Sequence, residues 1–169
     1  MSMTRVPRRR ARLVLVSFFL CVCLASTNPA ARGAGLPLAI NELMAANSST
    51  KADPQGQYDD WVEIHKYSDA PIDLGRMYLT DDLGEPTKWQ FPGGVSQPAS
   101  VPAGGYLVVW LDGHTADSGL HASFALDSDG DSLALFAPDG TTLIDSVTFG
   151  KQRTDVSYGR SPDGAGPYG

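Results

Sequence analysis

From about Leu36 onward the chain alternates short apolar stretches with turn residues, and no 3.6-residue apolar stripe persists beyond two turns. The stretches are Leu38 to Met44, Trp61 to Tyr67, Ile72 to Leu74, Met77 to Thr80 and Thr87 to Phe91. They continue with Tyr106 to Leu111, Ala122 to Leu126, Ser132 to Phe136, Thr142 to Phe149 and Val156 to Tyr158. Between them stand Ala70-Pro71, Pro92-Gly93-Gly94, Pro102-Ala103-Gly104-Gly105, Asp129-Gly130 and Pro138-Asp139-Gly140. Proline pre-sets φ there, and Gly or Asp accepts the positive φ of a tight turn. Pro138-Asp139-Gly140 between two apolar runs predicts a hairpin.

Period-two patterning supports strands. Val62 and Ile64 share one face while Trp61, Glu63 and His65 share the other. Leu133, Leu135 and Ala137 alternate with Ser132, Ala134 and Phe136. Tyr106 to Leu111 is continuously apolar, as in a strand covered on both sides. About eight to ten short strands predict an all-β fold, an antiparallel β-sandwich of immunoglobulin type, with a barrel as the alternative. Residues 45–58 read as one long polar loop, and residues 164–169 as a frayed end.

Composition narrows this further. With 18 Gly and 12 Pro in 169 residues, a helical bundle is excluded, and the length suits a single domain. The first 34 residues stand apart. Arg5, Arg8, Arg9, Arg10, Arg12 and Arg32 all fall there, no acidic residue precedes Glu42, and Leu13 to Ala25 is apolar apart from Ser17. A bilayer-crossing helix needs roughly 20 apolar residues, so the pattern is that of a secretory signal peptide with a short linker over 1–34. Cleavage after Ala25 or near Ala34 fits equally. The expected destination is outside the cell, secreted or at the cell surface, with no transmembrane span in the mature chain.

Cys21 and Cys23 both lie in that leading segment, so the exported part has no disulfide. Its stability is expected from apolar burial and backbone pairing alone. Seven basic residues then face all 19 acidic ones, a formal net charge of −12. Such acidity repels phosphate backbones and makes nucleic acid an unfavourable partner.

Eight segments, in order, resemble a known family. They are Ile40-Asn41-Glu42-Leu43-Met44-Ala45-Ala46-Asn47, Asp60-Trp61-Val62-Glu63-Ile64, Ile72-Asp73-Leu74 and Tyr78-Leu79-Thr80-Asp81-Asp82. Lys88-Trp89-Gln90-Phe91-Pro92, Val101-Pro102-Ala103-Gly104-Gly105-Tyr106, Leu120-His121-Ala122-Ser123-Phe124-Ala125-Leu126 and Asp155-Val156-Ser157-Tyr158-Gly159-Arg160 complete the series. Together they resemble a bacterial lamin-tail domain over roughly residues 36–163. The resemblance implies an immunoglobulin-like sandwich and a non-catalytic module, an accessory part of exported or surface-attached proteins. In nuclear lamins the related domain contacts proteins and DNA, an implication that the acidity here opposes.

Candidate chemistry lies in the acidic loops. Asp127, Asp129 and Asp131 alternate through a tight turn and can converge on Ca²⁺, which takes oxygen ligands. The EF-hand template does not fit, because its Gly and Glu positions hold Ser132 and Pro138. A plain solvated turn is the simpler reading. Asp53, Asp59, Asp60, Asp81 and Asp82 form a second acidic group that can gather at one end of the sandwich. Asp60, just before the Trp61 strand, is expected to accept backbone N–H bonds in the long loop. Asp112, His114, Asp117 and His121 lie close enough in sequence for a transition-metal site, although His121 can equally pack or hydrogen-bond. No other cofactor is indicated.

Trp61, Trp89 and Trp110 can act as a sugar-binding platform or as core. Core is the preferred reading for all three; Trp89, flanked by Lys88 and Gln90 on an expected edge strand, is the best candidate for exposure and so for a binding surface. Catalytic patterns are missing: beyond residue 34 there is no cysteine nucleophile, no Gly-x-Ser-x-Gly and no His-Glu-x-x-His. The chain therefore reads as a non-enzymatic binding, adhesion or accessory module for a protein, glycan or cell-surface component. The alternative is a metal-dependent hydrolase, or a fragment of a larger exported hydrolase.

Overall fold

The computed structural model describes residues 35–94 and 99–169; the expected signal segment lies outside them. Among the described residues eleven strands follow one another: β1 (Leu38–Met44), β2 (Asp60–Lys66), β3 (Ile72–Asp73), β4 (Tyr78–Thr80), β5 (Trp89–Gln90) and β6 (Ser100–Val101). Then come β7 (Tyr106–Leu111), β8 (His121–Ala122), β9 (Gly130–Phe136), β10 (Leu143–Gly150) and β11 (Tyr158–Gly159). A five-stranded sheet has the order β11-β1-β2-β7-β8, a four-stranded sheet β10-β9-β4-β5, and β3 pairs with β6. All neighbours are antiparallel except β7 and β8. This is an immunoglobulin-like all-β sandwich. No described helix is long and apolar enough to cross a membrane.

The core lies between the sheets. Ile40, Leu43, Val62, Ile64, Val109 and Leu111 come from the five-stranded side, and Leu79, Leu133, Leu135, Val147 and Phe149 from the other. Ile40 and Leu43 are an odd number of residues apart, yet both are core. A bulge between Ile40 and Glu42 makes this possible by inserting one extra residue into the ladder. The predicted hairpin joins β9 to β10: the Ala137 N–H donates to the Thr142 carbonyl, and Gly140 takes φ +70°. Asp139 completes it by accepting the N–H groups of Thr141 and Thr142.

Several expectations are corrected. The Ala122 to Leu126 run shortens to the two-residue β8; Phe124 and Leu126 enter the core from irregular backbone. β7 is not covered on both sides along its length, because Tyr106 at its start is 43% exposed. The C-terminal residues do not fray. Tyr168 stacks on Tyr158 at 5.3 Å, donates to the Ile40 carbonyl and bridges to Arg160. Nor is apolar burial the whole of the sandwich's cohesion. Asp145 is in phase with the core residues Val147 and Phe149, and its buried carboxylate meets the Arg160 guanidinium. Buried charges need such partners.

Candidate functional site

The Asp127–Asp131 turn is held together from within. Asp127 Oδ1 accepts the Asp129 N–H, Asp131 Oδ2 accepts the Asp127 N–H, and Asp131 Oδ1 accepts the Ser132 N–H. Asp129 Oδ1 takes the Lys151 ammonium at 2.7 Å, and that bond lowers the Asp129 pKa. The carboxylates expected to meet on Ca²⁺ are thus engaged with the turn's own backbone and one lysine. Asp81 pairs with Lys88 at 2.7 Å and Asp82 caps the Gly84 N–H, so these two separate from the rest of the second acidic group. They line a shallow hollow with Asp131.

A different set converges beside the long loop. β2 runs antiparallel to β7 with Asp60 opposite Leu111, which brings Asp59 and Asp112 to the same end of the sheet. β8 runs parallel to β7 with His121 beside Trp110, so His121 arrives there too. The loop before β2 then delivers Asp53. Ligand-type atoms of Asp53, Asp112 and His121 lie within 4.8 Å of one another. Asp117, expected in this group, instead gives its backbone N–H to the His114 carbonyl and is not among the three.

The long loop is shaped by its own polar side chains. Asn47 Nδ2 donates to the carbonyls of Lys51 and Asp59, and Asn47 Oδ1 accepts the N–H groups of Thr50 and Lys51. Asp53 Oδ1 accepts the N–H groups of Gln55 and Gln57. Asp60 does what its position predicts. Burial pushes its pKa up to about 6, against bonds from the Leu126 and Asn47 backbone.

Electrostatically the cluster is crowded. Burial, then Asp112 and Asp53, raise the Asp59 pKa, while His114 and His121 oppose them. Asp53 Oδ2 and Asp59 Oδ2 are both buried without a hydrogen-bond partner. Sequence spacing suggested part of this set, but Asp53 is 59 positions from Asp112 and only strand register unites them.

The aromatic residues divide. Trp89 is buried at 8% exposure and meets Phe91 edge-on at 4.7 Å, which corrects its expected place on a binding surface. β5 is an edge strand as expected, but Trp89 points inward between the exposed Lys88 and Gln90. Trp61 and Trp110 face each other across β2 and β7 on the outer side of the five-stranded sheet. Lys51 sits 5.9 Å from the Trp61 ring, and both tryptophans are 6% exposed. At the other end of that face, His65 stacks on Tyr106 at 4.5 Å, with Tyr67 at 6.4 Å from His65.

The family model for the Lamin Tail Domain matches residues 32–151. This chain belongs to that family. No curated protein matches it. The matched span of the lamin-tail domain ends just past β10, so β11, Arg160 and Tyr168 lie beyond it. Those later residues nevertheless complete the sheet, through β11 pairing with β1 and the Arg160 contact to Asp145.

Proposed function

We propose that this lamin-tail chain is a non-catalytic exported module that binds a protein, glycan or other component of the cell surface. The observation that carries the reading is the half-exposed aromatic patch on the outer face of the five-stranded sheet, where the Tyr106 hydroxyl donates to Asp163. Tyr106 is 43% and Tyr67 38% exposed, and His65 is stacked beneath Tyr106. Half-exposed aromatic side chains give large contact areas at low entropic cost and are enriched at recognition surfaces. Export is supported by the arginine-rich start and short apolar run before residue 35. The strongly acidic remainder disfavours nucleic acid as the partner.

The test is co-sedimentation of the purified chain with washed envelopes and insoluble surface polysaccharide of the producing organism. Retention should fall at least tenfold in Tyr106→Ala and stay unchanged in Leu83→Ala, a remote exposed control at 52% exposure. Equal retention of both variants would remove the patch from the reading. Turnover of phosphodiesters, esters or polysaccharides by the chain would favour the hydrolase alternative instead.

A further inference from the structure

We infer that Asp53, Asp112 and His121 form a binding site for one zinc-type divalent cation, with His114 positioned to close the coordination set. The cation would pin the long loop before β2 to the ends of β7 and β8.

The imidazole of His121 supplies the first argument. Its side chain is fully buried, and both ring nitrogens face oxygen acceptors. Nε2 lies 3.2 Å from the Ser118 carbonyl, and Nδ1 lies 2.7 Å from Asp112 Oδ2. A neutral imidazole has one N–H, which serves only one of these acceptors. With Nε2–H donated to Ser118, the Nδ1 lone pair confronts a carboxylate, and a positive charge belongs between them. An imidazolium proton or a metal supplies it, and the second carboxylate beside this pair favours the metal. Histidine ligands generally donate their other N–H to a backbone carbonyl, as Nε2 does here. Zinc bonds of about 2.0–2.1 Å to nitrogen and oxygen, at tetrahedral angles, separate the two ligand atoms by about 3.3 Å. The present 2.7 Å contact needs to open by about 0.6 Å to reach that separation.

Asp53 supplies the second, independent argument. It is 7% exposed, and while Oδ1 organises the loop, Oδ2 is buried without a partner on a carboxylate that belongs to the converging trio. An unpaired carboxylate oxygen beside two other carboxylates is unfavourable unless a cation accompanies it. His114 Nδ1 lies 3.7 Å from the same Asp112 Oδ2 on a side chain 57% exposed, free to swing inward. Two imidazoles and two carboxylates form a donor set suited to Zn²⁺ more than to Ca²⁺, which prefers six to eight oxygens.

The experiment uses the full chain, stripped with EDTA and titrated with Zn²⁺ alone, by calorimetry and by tryptophan fluorescence. Trp110 stacks on His121 at 6.5 Å and serves as the local reporter. Saturation at one equivalent is expected, with an upward shift in Tm that Ca²⁺ does not reproduce. Asp53→Asn, which keeps the Oδ1 acceptor, should weaken Zn²⁺ at least tenfold while the metal-free variant melts no lower than the parent. His114→Ala should weaken Zn²⁺ less. Three results would overturn the assignment: no stoichiometric uptake, unchanged affinity in Asp53→Asn, or stabilisation by Ca²⁺ in preference to Zn²⁺. A metal-free Asp53→Asn that melts lower with Zn²⁺ affinity intact would also overturn it, by making Asp53 purely a loop-shaping residue.

Discussion

Asp145 and Arg160 hold the backbone of one residue, Ile40, between them. Asp145 Oδ2 accepts the Ile40 N–H at 2.9 Å, Arg160 Nε donates to the Ile40 carbonyl at 3.0 Å, and the guanidinium reaches both carboxylate oxygens at 3.0 Å. The bulge after Ile40 interrupts the β1–β2 ladder at this point, and the two charged side chains engage that residue's peptide groups. Since Asp145 is on β10 and Ile40 on β1, the pair also ties the two sheets together.

Removing one member should be costly. Asp145→Ala leaves a buried guanidinium uncompensated, and chemical denaturation should report a loss of about 3–5 kcal/mol. The double variant Asp145→Leu with Arg160→Met should lose less than the sum of the single changes. Additive losses in that cycle would mean that the pair contributes no coupling.

Alkaline pH should loosen the same corner through Tyr168. Burial, the largest cause, raises its phenol pKa well above the ordinary 10.0; the Arg160 guanidinium 4.4 Å from the ring opposes the shift. The folded state therefore keeps a proton that the unfolded chain releases near pH 10. The stabilisation is complete below that pH and declines as pH rises above it. Urea midpoints between pH 8 and 11 should fall in the parent and fall less in Tyr168→Phe. That variant should itself lose about 1 kcal/mol at neutral pH, with the bond to Ile40.

Gly166 has no room for a side chain. A Cβ there would overlap the Ser161 carbonyl. Gly166→Ala should displace the terminal segment and cost about 1–3 kcal/mol, the usual range for forced overpacking. Limited proteolysis should then cut within residues 163–168 faster than in the parent.

Asn47 organises the long loop with four side-chain bonds to backbone groups. Asn47→Ala should cost about 1–3 kcal/mol through the groups left unsatisfied. Hydrogen exchange at the Thr50 and Lys51 amides should accelerate while that of β9 stays slow. Unchanged exchange at Thr50 would show that the loop keeps its shape without Asn47.

The chain's own pattern determined the all-β class, the β9–β10 hairpin and the face assignment of β2, because period-two alternation and turn chemistry act over a few residues. Asp145 also left a local signal, a carboxylate in phase with Val147 and Phe149. What it meets, however, is 15 residues away at Arg160 and 105 away at Ile40. Trp89 read both ways along the chain: its polar neighbours suggested a binding surface and its aromatic bulk the core, and the core won because an edge strand still presents every second side chain inward. The gathering of Asp53 with Asp112 and His121 was decided only in three dimensions. Strand register and a folded loop bring them together, and neither leaves a fixed spacing along the chain.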